Sequence, residues 1–129
     1  MATDYWKLES TPMQDFKTLL VWQKAHELAL LTYRLTADFP RDELFGLRNS
    51  LRKTSIDIPA YIAEGCGKPT ANETGRAIIG AIALANRLEY YALMARDLRM
   101  LNDLNHDALL EATVEVRKML SGFAKRVQH

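Results

Sequence analysis

The chain has 129 residues, of which 48% are hydrophobic and 26% are charged, a composition that fits one globular domain and excludes a disordered chain. Seventeen Lys and Arg residues against 16 Asp and Glu leave a formal net charge of +1, which excludes a uniformly basic nucleic-acid-binding surface. The single cysteine, Cys66, excludes an intrachain disulfide and any zinc site built from several cysteines.

The hydropathy pattern argues against a membrane protein. The longest uncharged apolar run, at 77–85, is far shorter than the ~20 residues that span a bilayer. Residues 1–12 carry neither an apolar signal core nor a basic leader, so we expect a cytoplasmic protein.

The first predicted helix covers Leu19 to Asp38. Its apolar face consists of Val21, Trp22, Ala25, Leu28, Ala29, Thr32, Tyr33, Leu35 and Thr36. These residues fall on one broad arc at 100° per residue, and charged residues gather opposite. Phe39-Pro40 ends the helix, because the residue before a proline avoids helical geometry.

The second predicted helix begins near Asp42, which is expected to be its N-cap. Its apolar positions are Leu44, Leu47, Leu51, Ile58 and Ile62. Pro59 lacks the amide that would bond to the carbonyl four residues earlier, so we expect a kink or a local widening inside one helix rather than two separate helices. Gly65 and Gly67 are expected to end the helix in left-handed geometry.

The third predicted helix begins at a capping box formed by Thr70 and Glu73 and runs to about Met100. One face carries mostly small residues: Ala77, Ala81, Leu84, Ala85, Leu88, Tyr91, Ala92 and Ala95. Four further apolar residues lie outside this face: Ile79, Ile82, Leu93 and Met94. Apolar surface on more than one side of a helix predicts burial on more than one side.

The fourth predicted helix follows a turn at 102–105, with Asn105 as its expected N-cap, and runs to about Val127. No strand-like alternation competes with these four segments, and short connections favour antiparallel neighbours. The sequence therefore predicts an all-α fold, an antiparallel up-and-down four-helix bundle. Because helices 1 and 3 carry more apolar surface than one such core needs, we also expect a homo-oligomer.

Three segments in this order resemble one family. They are FKTLLVWQKAHELALLTYRLTADFP at 16–40, LRKTSIDIPAYIAEG at 51–65 and LEYYALMARDL at 88–98. They are similar to the bacterial four-helix-bundle proteins encoded in intervening sequences of ribosomal RNA genes, over about residues 13–119. Since such proteins commonly begin near Met13, we expect residues 1–12 to be an N-terminal extension and residues 13–129 to form the bundle domain.

The resemblance implies a small cytosolic bundle whose relatives assemble into five-membered rings and mostly have no established activity. A more distant likeness is to the accessory protein of diversity-generating retroelements, which partners a reverse transcriptase and nucleic acid. A shared fold does not fix a function, so this likeness only suggests nucleic-acid contact.

The chain departs from the family's central pattern, Ser-Ile-Pro-Ala-Asn-Ile-Ala-Glu-Gly followed by an aromatic residue, Gly and Arg. The replacing residues are Asp57, Tyr61, Cys66 and Lys68. The motif residues that remain are Pro59, Glu64, Gly65 and Gly67. Because the retained residues are those expected to shape the end of the helix, a structural role for the motif is favoured.

Glu89 and Arg96 lie in apolar surroundings on the third helix, where an unpaired charge is costly. If helices 2 and 3 are antiparallel, Glu89 reaches the level of Arg48 and Arg52, and we expect an ion pair with one of them, within or between subunits. For Glu64, at the end of the second helix, we expect a role in helix capping or a subunit contact. A catalytic carboxylate is the alternative for Glu89 and for Glu64, but no nucleophile or other catalytic partner is evident nearby.

Basic residues form two groups that are candidates for nucleic-acid binding. The first group is Arg48, Arg52 and Lys53, and the second is Arg117, Lys118, Lys125 and Arg126. Favourable interaction with the helix dipole is the simpler explanation for the second group. In a ring, either group would repeat around the axis and could contact a phosphate backbone.

No cofactor or metal is predicted. The three histidines are isolated, and Gly65-x-Gly67 lacks the strand and lysine of a phosphate-binding loop. Trp22 and the tyrosines sit at helical spacing among aliphatic residues, which favours packing over base stacking. We therefore expect a non-enzymatic scaffold that assembles with itself. A nucleic-acid or ribonucleoprotein accessory protein is the first alternative, and an enzyme with a carboxylate in the bundle core is the second.

Overall fold

A computed structural model describes residues 15–43 and 46–127 of the chain. Its four α-helices are α1 (Leu20–Leu35), α2 (Leu47–Cys66), α3 (Ala71–Asp97) and α4 (Asp103–Val127). Short 3-10 turns at Phe16–Thr18 and Arg41–Glu43 precede α1 and α2. Each helix packs against the next in the chain, and α1 also packs against α4 and closes the bundle. The predicted all-α fold, a four-helix bundle, is confirmed, while the predicted extension over residues 1–12 lies outside the described residues.

The core follows the helical repeat of the sequence. Its largest fully buried aliphatic side chains are Leu19, Leu28, Leu51, Ile58, Ile62, Ile78, Leu88, Leu109 and Leu120. Each contributes about 1.5–3 kcal/mol relative to an exposed position. On α3, alanines at 81, 85, 92 and 95 are buried between these larger residues, so its small-residue face lies in the core. No helix within 15–43 and 46–127 is long and apolar enough to cross a membrane.

The second helix differs from its prediction at both ends. It begins after Gly46 rather than near Asp42, which lies in the preceding 3-10 turn. It continues through Pro59 as one helix, as predicted. Neither Gly65 nor Gly67 is left-handed, since no glycine of the described residues has a positive φ. The predicted left-handed stop is therefore wrong.

Gly65 instead allows α2 and α3 to approach each other. It is buried in the last turn of α2, and a Cβ built there would lie 3.1 Å from the Ala77 Cβ of α3. The Thr74 hydroxyl donates a hydrogen bond of 2.8 Å to the Gly65 carbonyl, which ties the start of α3 to the end of α2. A Cβ at residue 65 would require Ala77 to move away by a few tenths of an ångström, so glycine favours this close approach of the two helices.

Left-handed geometry occurs at the end of α3, where Arg99 has φ 63°. The Met100 amide donates to the Ala95 carbonyl at 2.8 Å, and the Arg99 amide donates to the Arg96 carbonyl at 2.9 Å. This pair of bonds is the Schellman motif, which usually places glycine where Arg99 stands. The prediction that α3 extends to Met100 is therefore three residues too long, as α3 ends at Asp97.

The helix N-termini confirm one predicted cap and correct another. The Glu73 amide donates to the Thr70 hydroxyl at 3.1 Å, as the capping box predicts, and that hydroxyl lies 3.0 Å from the Glu73 carboxylate. On α4 the cap is Asn102 rather than Asn105, because the Asn105 amide donates to the Asn102 side-chain oxygen at 2.7 Å. The helix accordingly begins at Asp103.

Candidate functional site

One side of α3 is apolar and faces away from the core. Its members, which we call the α3 band, are Ile79, Ala83, Tyr90, Leu93 and Met94. Ile79 is 49% exposed, Tyr90 55%, and Leu93 and Met94 37% each. Residues 79, 83, 90 and 94 recur at steps of four and seven, so they lie along one side of the helix. Of the four apolar residues outside the small-residue face, Ile79, Leu93 and Met94 are thus exposed, while Ile82 packs against the core.

The first helix exposes fewer apolar side chains. Val21, Ala25 and Leu28 are buried, while Leu20, Leu30 and Tyr33 are 53%, 48% and 37% exposed. Trp22 is half-buried against the core, and its ring stacks on His26 with centroids 5.0 Å apart. Both helices thus expose large apolar side chains, four on α3 and three on α1.

Glu89 forms an ion pair with Arg117 of α4, which also donates to the Asn86 amide oxygen at 3.1 Å. The predicted pairing with Arg48 or Arg52 is wrong within the chain, because Glu89 lies on the α4 side of α3. Both partners are partly exposed, with 40% of the Glu89 side chain and 27% of the Arg117 side chain accessible. Such a pair fixes how α3 and α4 align more than it stabilises the fold.

Three predicted basic residues come together at the junction of α1 and α2. They line an open groove of about 400 Å³, which we call the α1–α2 groove. Its lining residues are Tyr33, Arg48, Asn49, Arg52, Lys53, Ile56 and Asp57. Three cations and one carboxylate leave the lining with a local excess of positive charge.

Arg52 is held in one position by three contacts with the end of α1. Its Nε donates to the Thr36 hydroxyl at 2.8 Å, and its Nη2 donates to the Tyr33 carbonyl at 3.0 Å. The guanidinium carbon lies 4.5 Å from the centre of the Tyr33 ring, within the range of a cation–π interaction. The Thr36 hydroxyl donates to the Thr32 carbonyl, which leaves its lone pairs to accept from Arg52.

The other two cations of the groove differ in exposure. The Arg48 Nε is buried and has no hydrogen-bond partner among the described residues. Lys53 is largely exposed and pairs with Asp57 one turn later, at 3.2 Å. Neither Arg48 nor Arg52 forms an ion pair with a carboxylate within the described part of the chain.

The basic residues of α4 do not form one patch. Arg117 faces α3, while Lys118 shares a shallow outer groove with Asp107, Glu111 and Glu115. Lys125 and Arg126 lie in the last turn of α4. Because α2 and α4 run in the same direction, these two residues lie at the opposite end of the bundle from the α1–α2 groove.

The remaining candidate residues lie apart from one another. Glu64 is exposed in the last turn of α2, and Pro59 is buried within that helix. Arg96 is partly exposed and contacts the neighbouring Asp97 at 3.3 Å. Across 15–43 and 46–127, no group of three or more His, Cys, Asp or Glu residues could hold a metal ion.

Sequence reasoning missed the residues that support the α1–α2 groove. The helical repeat places Tyr33 and Thr36 on the apolar face of α1, yet the Thr36 hydroxyl and the Tyr33 carbonyl both accept hydrogen bonds from Arg52. Their spacing of three residues at the end of α1, beside the first turns of an antiparallel α2, is the signal that could have found them. The carbonyls of a last helical turn also lack intrahelical partners and attract donors.

Comparisons with known proteins match most of the bundle. The family profile described as 23S rRNA-intervening sequence protein matches residues 17–122. A search of curated proteins found no match. Among solved structures, a protein of unknown function from the S23 ribosomal protein family of Bacteroides thetaiotaomicron VPI-5482 is similar at a TM-score of 0.74 and 17% identity. The alignment covers 82% of this chain and 99% of that one, and at this identity it supports the fold alone.

Proposed function

The chain belongs to the 23S rRNA-intervening sequence protein family, as its sequence resemblance implied, and from this membership we propose a non-enzymatic, cytoplasmic scaffold that assembles as a homo-oligomer. The observation that carries the proposal is the α3 band. Four large apolar side chains, each at least 37% exposed, lie together on one helix of a single chain. Asn86 lies among them and interrupts the band, but several exposed apolar side chains on one side of a helix still favour an interaction site over an inert surface.

A second copy of the chain is the partner that the band fits best. Its large members are aliphatic, aromatic or sulfur-containing, and this is the composition of the buried centre of homo-oligomer interfaces. Covering apolar area contributes about 25 cal/mol per Å², so burying several such side chains offsets part of the entropy lost on association. The family resemblance implies five copies, and a ring of five would present the band of every copy to a neighbour.

Light scattering on wild type and two variants tests self-association. We expect the wild-type mass to be a multiple of 14.7 kDa at micromolar concentration. The double variant Tyr90→Glu, Leu93→Glu puts two charges into the band and should lower that mass. The matched control Leu104→Glu changes an aliphatic residue that is 78% exposed outside the band, so its mass should equal that of wild type. A wild-type mass of 14.7 kDa would remove the proposal.

A nucleic-acid or ribonucleoprotein accessory role is the second candidate function. The observation that favours it is the clustering of Arg48, Arg52 and Lys53 around one groove. In a homo-oligomer this groove would repeat around the assembly and raise the local positive potential. A gel shift with structured RNA should then weaken steeply as salt rises, and Lys53→Gln should reduce the salt dependence while Lys68→Gln, at the other end of α2, should not. Absence of binding at low salt would remove this candidate.

A further inference from the structure

We propose that the α1–α2 groove is a binding site for a single phosphate group, as inorganic phosphate or as a phosphomonoester, with Arg48 and Arg52 as its principal ligands. The inference deepens the nucleic-acid candidate and rests on the same three cations. It can nevertheless be measured without any nucleic acid, and it does not require self-association.

Arg52 supplies a guanidinium that is already in position. The two hydrogen bonds to α1 use two of its five N–H groups and leave three for a ligand. The Tyr33 ring supports one face of the guanidinium plane, 4.5 Å away. A ligand that binds Arg52 therefore does not have to immobilise a free side chain, and this lowers the entropy lost on binding.

Arg48 supplies an unmet need for an acceptor. A buried N–H without a partner destabilises a protein, and such groups in native structures are usually satisfied by another residue, water or a ligand. The Arg48 Nε is in this state among the described residues, and its side chain lines the same groove as that of Arg52. Because the Arg48 Nε is itself shielded from solvent, an oxyanion in the groove would first accept from the terminal Nη groups of Arg48 and Arg52, and the Nε would become a donor only if the Arg48 side chain turned toward the anion.

A phosphate group matches this arrangement better than a carboxylate does. It offers three or more oxygens in a tetrahedral array, whereas a carboxylate offers two in one plane, and it carries more charge at neutral pH. Different phosphate oxygens can accept from the two guanidinium groups and from the Lys53 ammonium, which all line the groove. The groove volume of about 400 Å³ also leaves room for the organic part of a phosphomonoester.

The Asp57 carboxylate would repel a bound phosphate, so replacing Asp57 should change phosphate affinity in the direction opposite to replacing an arginine. Asp57 is the acidic residue of the lining, and its contact with Lys53 at 3.2 Å occupies the most exposed cation. Removing its charge should strengthen phosphate binding, and removing an arginine should weaken it. A general loss of structure cannot produce both effects.

The experiment is an NMR titration of the full-length chain, labelled with ¹⁵N, with inorganic phosphate at neutral pH and low ionic strength. We expect saturable shifts at the Asn49 and Ile56 amides and at the Arg52 Nε–H. Arg48→Gln should weaken binding by about tenfold or more, since hydrogen bonds to charged groups contribute at this level. Asp57→Asn should tighten binding about threefold or more. Lys68→Gln, a cation at the opposite end of α2, is the matched control and should leave the affinity unchanged.

Further arms identify the source of the phosphate. One competitor is a 5′-phosphorylated oligonucleotide, and the other is the same oligonucleotide with a 5′-hydroxyl. If only the phosphorylated one displaces inorganic phosphate, the ligand is a phosphomonoester end of a nucleic acid. If neither does, the ligand is a small phosphate compound. If Arg48→Gln does not fold, Lys53→Gln replaces it, with weaker binding expected again. The proposal is overturned if no saturable shift occurs, if acetate binds as well as phosphate, or if Asp57→Asn weakens binding. Phosphate binding without an RNA gel shift rejects the nucleic-acid candidate alone, and a gel shift without phosphate binding rejects this inference alone.

Discussion

Arg99 holds a backbone conformation that a side chain disfavours. Its φ of 63° lies in the left-handed region, where a residue with a Cβ loses about 1–2 kcal/mol relative to its usual geometry. The conformation persists because it completes the Schellman bonds to Ala95 and Arg96 that end α3. The sequence pointed to Gly65 and Gly67 for this geometry, because glycine is its usual signal, and gave no sign that an arginine adopts it.

We predict that Arg99→Gly stabilises the protein. The substitution removes the Cβ penalty, offset by the greater backbone freedom of glycine in the unfolded chain, for a net gain of about 1 kcal/mol. Thermal denaturation should show an increase in Tm of about 3–5 °C. The matched control is Arg87→Gly, at an exposed position inside α3, which should lower stability by about 1 kcal/mol. A decrease in Tm for Arg99→Gly would contradict the prediction that the left-handed backbone of Arg99 lowers the stability of the protein.

The sequence predicted the presence of the four helices better than it predicted the residues at which they begin and end. The apolar repeat located all four, because a spacing of three and four residues is a property of each segment alone. Asn102 and Asn105 were harder to separate, since both are good capping residues three positions apart. The partner of Glu89 could not be derived, because it depends on how α3 is rotated between α2 and α4, and a rotation of one residue exchanges these neighbours.

At α4 we predict different outcomes for two asparagines. Asn102→Ala removes the side-chain oxygen that accepts from the Asn105 amide at 2.7 Å, and should lower the free energy of unfolding by about 1 kcal/mol. Asn105→Ala leaves that acceptor in place and should change stability by less than about 0.5 kcal/mol. Chemical denaturation of both variants compares them directly. Equal losses, or a larger loss for Asn105→Ala, would contradict the cap at Asn102.

Across the whole molecule, polar and apolar surfaces are separated. The α3 band lies on the outer side of α3, and the α1–α2 groove lies where the first turns of α2 meet the end of α1. Lys125 and Arg126 lie at the end of the bundle opposite to that groove. The excess apolar surface was visible in the sequence because α3 is apolar on more than one side. The groove was visible only as a group of cations, since its support comes from a different helix.

Self-association of the chain requires that another copy cover the α3 band, and hydroxyl-radical footprinting measures that coverage at each residue. We predict that modification of Tyr90, Leu93 and Met94 slows several-fold as the protein concentration rises from nanomolar to micromolar. Leu104, which is 78% exposed outside the band, should react at the same rate throughout. Rates at Tyr90, Leu93 and Met94 that stay constant and match their exposure in a single chain would contradict the account.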